Sequence, residues 1–141
     1  MSFYLDASVI LPTLIVEPSS GAVTEFINDP RRDLVVSAFA AVETASAISR
    51  LIRMGSLDLD DAMMRLADLD AWRAAYTENI ELKAADVKRA DDYVRRFDLA
   101  LRAPDALHAA LCRRGDHTLV TLDARLAAAA TALGVRVAYP A

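Results

Sequence analysis

The segment SFYLDASVI, residues 2–10, places a single carboxylate, Asp6, between two apolar runs. The residues before it have the composition of a short buried strand, and the residues after it have helical spacing. Asp is among the most favourable helix N-cap residues, so capping explains Asp6 without any chemistry. A metal site at the end of the strand explains it as well, and the choice between the two depends on the rest of the chain.

The alternation of strand and helix in this segment continues along the chain. Strand-like runs lie at 3–5, 33–38, 78–82, 117–122 and 135–139. Helices are predicted over 7–16, 20–28, 39–54, 84–97, 104–115 and 124–133, with one more from Ser56 or Asp58 to Tyr76. Helical segments that recur between strands indicate an α/β fold with a central, mainly parallel sheet of four to five strands and helices on both faces.

The composition predicts one ordinary domain spanning residues 1–141. Hydrophobic residues make up 55% of the chain, and four glycines and five prolines are too few for a disordered or fibrous protein. The single cysteine, Cys112, excludes an intrachain disulfide and suits a reducing cytosol. A signal peptide begins with a basic region, but no basic residue precedes Arg31. The longest apolar stretch, Val9–Val16, is too short to cross a membrane. We therefore expect a cytoplasmic protein without a membrane segment.

Four acids occupy the positions where the fold class predicts a ligand site. Ligands bind beyond the carboxyl ends of parallel strands, and Asp6 and Asp123 directly follow the first and fourth predicted strands. Asp105 lies in the first turn of a helix, and Glu43 lies about one turn into the helix after the second strand. All four are flanked by apolar or small residues, whereas most other acids have polar neighbours.

Each of these acids also has a purely structural explanation. Asp6 and Asp123 are suited to be N-caps, and Asp105 complements a helix dipole. Glu43 is the hardest to explain, because a carboxylate among apolar residues is costly unless it is paired or coordinated. Arg50, seven residues later on the same helix face, is its candidate structural partner.

Together the four acids point to metal chemistry. Carboxylates at one sheet edge repel each other and raise each other's pKa, and hard cations such as Mg²⁺ or Mn²⁺ relieve that repulsion. Two such ions about 4 Å apart activate water and stabilise the leaving oxygen of a phosphodiester. Zinc is disfavoured because the chain has one cysteine and only two histidines, His108 and His117.

Four motifs in this order resemble the PIN domain family, and in particular its VapC-type toxins: YLDAS at 4–8, VETASAI at 42–48, PDALHAA at 104–110 and LVTLDARLAAAATALGV at 119–135. The resemblance covers essentially the whole chain. It implies a compact three-layer α/β/α fold and a Mg²⁺- or Mn²⁺-dependent endoribonuclease.

The resemblance also implies roles for individual residues. An acidic quartet would hold the metal and the hydrolytic water, and it matches Asp6, Glu43, Asp105 and Asp123.

Three further residues are secondary candidates: Ser8, Thr121 and His108. Ser8 matches a small hydroxyl residue near the family's pocket, and Thr121 would end a strand two residues before Asp123. His108, one helical turn after Asp105, would hydrogen-bond an acid or approach the substrate. Capping, an ordinary strand position and core packing are the favoured structural explanations for these three residues.

The partners implied by the resemblance are an RNA substrate, a cognate antitoxin and a second copy of the chain in a homodimer. The antitoxin groove is expected to draw on Ile10, Leu14, Ile15, the 46–57 region, Met63 and Met64, unless these residues face the core instead. The net charge of −4 counts against non-specific RNA binding. Candidate phosphate contacts are Arg50, Arg53, Arg102, Arg113 and Arg114, although a solvated helix end is the favoured explanation for any one of them.

Three alternatives remain. A Mg²⁺-dependent phosphatase of the haloacid dehalogenase type would want a second acid where Ser8 stands, and a late lysine. A receiver-type regulatory domain also needs a lysine after a late strand, but the only lysines are Lys83 and Lys88. The third alternative is a PIN-like domain that has lost catalysis and only binds a partner.

Overall fold

Five strands and seven α-helices alternate in a computed structural model that covers residues 1–141. The strands are β1 (Ser2–Leu5), β2 (Asp33–Ser37), β3 (Glu78–Ile80), β4 (Thr118–Val120) and β5 (Val137–Ala138). The helices are α1 (Ala7–Leu14), α2 (Ser20–Ile27), α3 (Ala38–Arg53), α4 (Leu59–Tyr76), α5 (Ala84–Val94), α6 (Ala103–Gly115) and α7 (Ala124–Ala132). A short 3₁₀ turn, Phe97–Leu99, joins α5 to α6.

The five strands form one sheet in the order β3-β2-β1-β4-β5, and all four strand pairings are parallel. The predicted α/β fold, with a central sheet and helices on both faces, is therefore confirmed. Because β1 is the central strand and its neighbours β2 and β4 come from opposite halves of the chain, the strand order reverses beside β1.

Side chains of the central strands alternate between two hydrophobic layers. Tyr4 and Leu119 pack on one face with α6, α7 and Val135, and that layer includes the buried Leu111 and Leu126. Leu5, Leu34, Val36 and Val120 pack on the other face against α1, α2 and α4. The sheet is therefore buried on both faces, as parallel sheets usually are.

Several element boundaries differ from the sequence predictions, among them those of β4 and α5. The strand predicted over 117–122 ends at Val120, so Thr121 lies just beyond it. The helix predicted over 84–97 ends at Val94, and the chain turns there before α6.

The expected antitoxin groove is only partly available. Ile10 and Leu14 belong to the core, so assigning them to an exposed groove is wrong. Met63 and Met64, in contrast, are 64% and 66% exposed on α4. No helix combines the length and the apolar composition that crossing a bilayer would require.

The ion pair between Asp86 and Arg114 connects α5 to α6 beside a contact of small side chains between the two helices. Ala90, Ala106 and Ala110 form the apolar contact. Beside it, the buried Asp86 accepts two hydrogen bonds from the Arg114 guanidinium, at 2.8 and 3.0 Å, and one from the Lys83 backbone N–H at 2.8 Å. Burial alone would raise the pKa of Asp86, but the hydrogen bonds from Arg114 and Lys83 lower it below its usual value.

Replacing Asp86 with Ala should reduce the free energy of unfolding by about 2 kcal/mol at pH 7, because the charged hydrogen bonds to Arg114 are lost. The pKa of Asp86 is lower in the folded state, so its contribution is full above about pH 5 and shrinks as the pH falls through that folded pKa. Urea unfolding at several pH values measures both effects. Asp98→Ala, which breaks the exposed Arg96–Asp98 pair, is the control and should lower the free energy of unfolding much less. Equal losses for the two variants would contradict this account.

Candidate acidic site at the carboxyl edge of the sheet

The crevice between β1 and β4 is where the strand order reverses, and parallel sheets bind ligands there. Asp6 directly follows β1, and Thr121 and Asp123 follow β4. The Asp6 backbone N–H donates to the Val120 carbonyl at 3.2 Å, which continues the sheet pairing to the edge of the crevice.

The Asp6 carboxylate is buried and hydrogen-bonded at both oxygens. Its Oδ1 accepts from the Ser8 hydroxyl at 2.6 Å and from the Val9 N–H at 3.3 Å, so Asp6 is indeed the N-cap of α1. Its Oδ2 accepts from the Thr121 hydroxyl at 2.6 Å. Burial raises the pKa of Asp6, and the hydrogen bonds from Ser8 and Thr121 only partly counteract this.

Thr121 links Asp6 to Asp123. Its Oγ1, which donates to Asp6, also accepts from the Asp123 N–H at 3.0 Å. Asp123 Oδ1 caps α7 by accepting from the Arg125 and Leu126 N–H groups at 2.9 and 3.2 Å. The N-cap explanation of Asp123 is therefore correct, and its Oδ2 remains without a hydrogen bond from the protein.

Asp105, in the first turn of α6, faces Asp123 across a small cavity. The two carboxylates line this cavity together with Arg102 and Arg125, and residues 99–101 complete its wall. Asp105 Oδ2 lies 3.5 Å from Arg102 Nε. Of the five arginines proposed from the sequence, Arg102 is therefore beside the acids, whereas Arg114 is held by Asp86 in the helix contact described above.

Glu43 lies on α3 and pairs with His108 of α6, not with Arg50. His108 Nε2 and Glu43 Oε1 form a short hydrogen bond, and His108 Nδ1 lies 2.6 Å from the Tyr4 hydroxyl. The Glu43 side chain is 28% exposed, and its neighbour Val42 is 66% exposed. Glu43 therefore borders solvent while His108 is buried beneath it.

The donor atoms of this edge suit a hard divalent cation, because they are carboxylate and hydroxyl oxygens. The structure brings the acids together in pairs: Asp6 and Asp123 through Thr121, and Asp105 and Asp123 around one cavity. No group of three or more Asp, Glu, His or Cys side chains is arranged to hold a metal ion. The site thus offers the right chemistry without a closed set of ligands.

Three polar residues near the acids escaped the sequence analysis. Arg125 lines the acidic cavity and was visible only as the second residue after Asp123. Tyr4 and Ser37 are hydrogen-bonded in one network with His108. In the sequence they stand out only as hydroxyl residues beside the apolar residues of a strand.

A model of the PIN domain matches residues 3–132 of the chain. Solved structures with the same fold include VapBC2 from Rickettsia felis bound to a DNA fragment from its promoter, with a TM-score of 0.73 and 13% identity over 99% of this chain and 98% of that one. VapC20 from Mycobacterium tuberculosis, a toxin that cleaves the sarcin–ricin loop, has a TM-score of 0.72 and 16% identity over 90% and 94%. DNA-bound VapBC from Salmonella typhimurium has a TM-score of 0.73 and 16% identity over 100% and 99%. The comparison with curated proteins finds no match.

Replacing Asp6 with Asn should stabilise the protein in EDTA at pH 7. Because the pKa of Asp6 is raised in the folded state, its ionised form is less favourable there than in the unfolded chain. The stability gained by Asp6→Asn should therefore grow as the pH rises through the folded pKa, and vanish well below pH 4, where both states are protonated. Thermal unfolding between pH 3 and 7 measures the difference. The exposed Asp92→Asn is the control, and a loss of stability in Asp6→Asn that is constant across this range would contradict the prediction.

Proposed function

Because this chain belongs to the PIN domain family, we propose that it is a Mg²⁺- or Mn²⁺-dependent endoribonuclease and the toxin of a toxin–antitoxin pair. The observation that supports the proposal most is the link from Asp6 to Asp123 through Thr121, together with the small cavity that Asp105 and Asp123 both line. These acids come from separate parts of the chain. Helix capping accounts for some of their carboxylate oxygens, but others, such as Asp123 Oδ2, accept no hydrogen bond from the protein.

The residues of the crevice have distinct roles in this proposal. Asp6, Asp105 and Asp123 would hold the cation, with Ser8 and Thr121 fixing the direction of the Asp6 oxygens. A bound divalent cation would lower the pKa of the attacking water and stabilise the charge on the phosphate.

Glu43 would accept a proton from the attacking water at Oε2, the oxygen that His108 leaves free. Arg102 and Arg125 would contact phosphates of the RNA at the mouth of the cavity, where they offset the negative charge of the acids.

The antitoxin and the second copy of the chain are also part of the proposal. Several solved relatives are complexes of a toxin with its antitoxin, VapBC or FitAB. The surface we assign to the antitoxin is the exposed apolar area formed by the end of α3 and the first turns of α4, whose residues are Met54, Leu59, Met63 and Met64. These exposed apolar residues lie within eleven positions of the sequence, and clustered apolar side chains at a surface mark interaction sites.

One observation favours a second function, a PIN domain that binds a partner without cutting RNA. No group of three or more acids is arranged to hold a metal ion. A PIN domain that had lost its catalytic site would have the same arrangement. The phosphatase and receiver alternatives are left without support, because the PIN model matches 3–132.

Wild-type protein freed of antitoxin should cut RNA at discrete positions in Mg²⁺ or Mn²⁺, and EDTA should abolish the cuts. Asp6→Asn should reduce cleavage at least about 100-fold, because the carboxylate at the centre of the crevice is lost. Mapping of new RNA ends in total cellular RNA measures both results. Asp92→Asn, on the exposed face of α5, should cleave like the wild type.

The same experiment separates the two functions. A folded, metal-supplied wild type that makes no discrete cuts would support the partner-binding domain. Cleavage that persists in EDTA or in Asp6→Asn would contradict a metal site at Asp6.

The double substitution Met63→Ser, Met64→Ser should weaken binding of the cognate antitoxin at least about tenfold, because two exposed apolar anchors are removed. Calorimetry with the purified antitoxin measures the change. Val87→Ser, which removes an exposed apolar residue from α5, is the matched control. Unchanged antitoxin affinity together with dissociation of a homodimer would reassign this surface to the second copy of the chain.

A further inference from the structure

A line of polar side chains crosses the core beneath Glu43 and has no part in the roles assigned above. Ser37 Oγ lies 2.8 Å from the Tyr4 hydroxyl, which lies 2.6 Å from His108 Nδ1, and His108 Nε2 is bonded to Glu43. Ser37 and Tyr4 are fully buried, and His108 is 3% exposed. A buried polar network of this length is costly unless every member is satisfied.

The direction of each hydrogen bond in this line follows from its two ends. An ionised carboxylate only accepts, so His108 Nε2 must donate to Glu43. At the other end, Ser37 Oγ accepts from the Ala40 N–H at 2.8 Å, and its own hydrogen is left to donate to the Tyr4 oxygen. The Tyr4 hydroxyl therefore donates to His108 Nδ1. Every donor and acceptor is used once, and the line ends at Glu43.

The surroundings of His108 hold its ring in one orientation. The Tyr4 ring meets it edge-on at a centroid distance of 5.6 Å, and the Phe39 ring packs at 5.1 Å. Tyr4 belongs to the central strand, and Ser37 caps the helix that carries Glu43. The line therefore joins the Glu43 carboxylate on α3 to β1 and α6.

The hydrogen bond from His108 restricts the rotation of the Glu43 side chain. A partly exposed glutamate has several freely rotating bonds, and fixing it costs side-chain entropy that one good hydrogen bond offsets. With Oε1 bonded to His108, only Oε2 remains to act on a ligand.

We infer that His108, anchored by Tyr4 and Ser37, is a positioning residue that donates its Nε2–H to Glu43 and turns Oε2 toward the crevice. The inference rests on the proposed nuclease for its catalytic consequence. It assigns a shared role to three residues at the core.

The ring state of His108 tests the inference without any activity. Nitrogen-15 NMR of metal-free wild type should show a proton on His108 Nε2, assigned by the signals missing from His108→Gln. His117, the other histidine, supplies the reference signals. A ring protonated at Nδ1 alone overturns the inference even if the protein is an active nuclease. A ring protonated at Nε2 in a protein that cuts no RNA supports the hydrogen bond and overturns the proposed function.

Two matched amide variants test the catalytic consequence. Gln at position 108 places its NH₂ near the position of Nε2 and can still donate to Glu43, whereas Asn reaches only the position of Nδ1 and bonds Tyr4 alone. His108→Asn should therefore lower kcat at least about tenfold, with little change in the KM for RNA, and His108→Gln should restore most of it. His117→Asn controls for the loss of a histidine. Equal activity of the Asn and Gln variants, both folded, overturns the inference.

Discussion

The buried carboxylate of Asp6 is the constraint on which the carboxyl edge of the sheet depends. It lies at the end of the central strand, where burial opposes its charge, and it is retained through hydrogen bonds from Ser8, Val9 and Thr121. Because Thr121 also accepts from the Asp123 N–H, the same bonds fix the start of α7 relative to β1. The hydrogen bonds from Ser8, Val9 and Thr121 thus replace the hydration that the Asp6 carboxylate loses on burial, and they also hold the segments around the crevice together.

Two polar networks lie at this edge. Each joins the central strand, or the residue directly after it, to a helix that is distant in sequence. One runs from Asp6 through Thr121 to Asp123, and the other from Tyr4 through His108 to Glu43. An apolar core at these positions would be cheaper to fold. Retaining buried polar groups beside several acids is the pattern expected where stability is exchanged for a binding site.

The positions of the acids at the sheet edge could be predicted from the sequence, but their contacts could not. Asp6 and Asp123 follow strands whose hydrophobic runs are plain, so the rule for parallel sheets places them together. The partner of Glu43 was missed because His108 lies on another helix, 65 residues away, and no local pattern links the two. The burial of Ile10 and the capture of Arg114 by Asp86 depend likewise on packing between elements that are distant in sequence.

The central claim is that these acids bind a divalent cation, and anomalous diffraction from crystals grown with Mn²⁺ tests it most directly. Our account predicts an anomalous peak about 2 Å from an Asp6 oxygen, with an oxygen of Asp105 or Asp123 completing the contact. Those side chains would close from the pairs seen here into one set of ligands. A fully occupied Mn²⁺ elsewhere on the surface, with the crevice lacking any anomalous signal, would contradict the account.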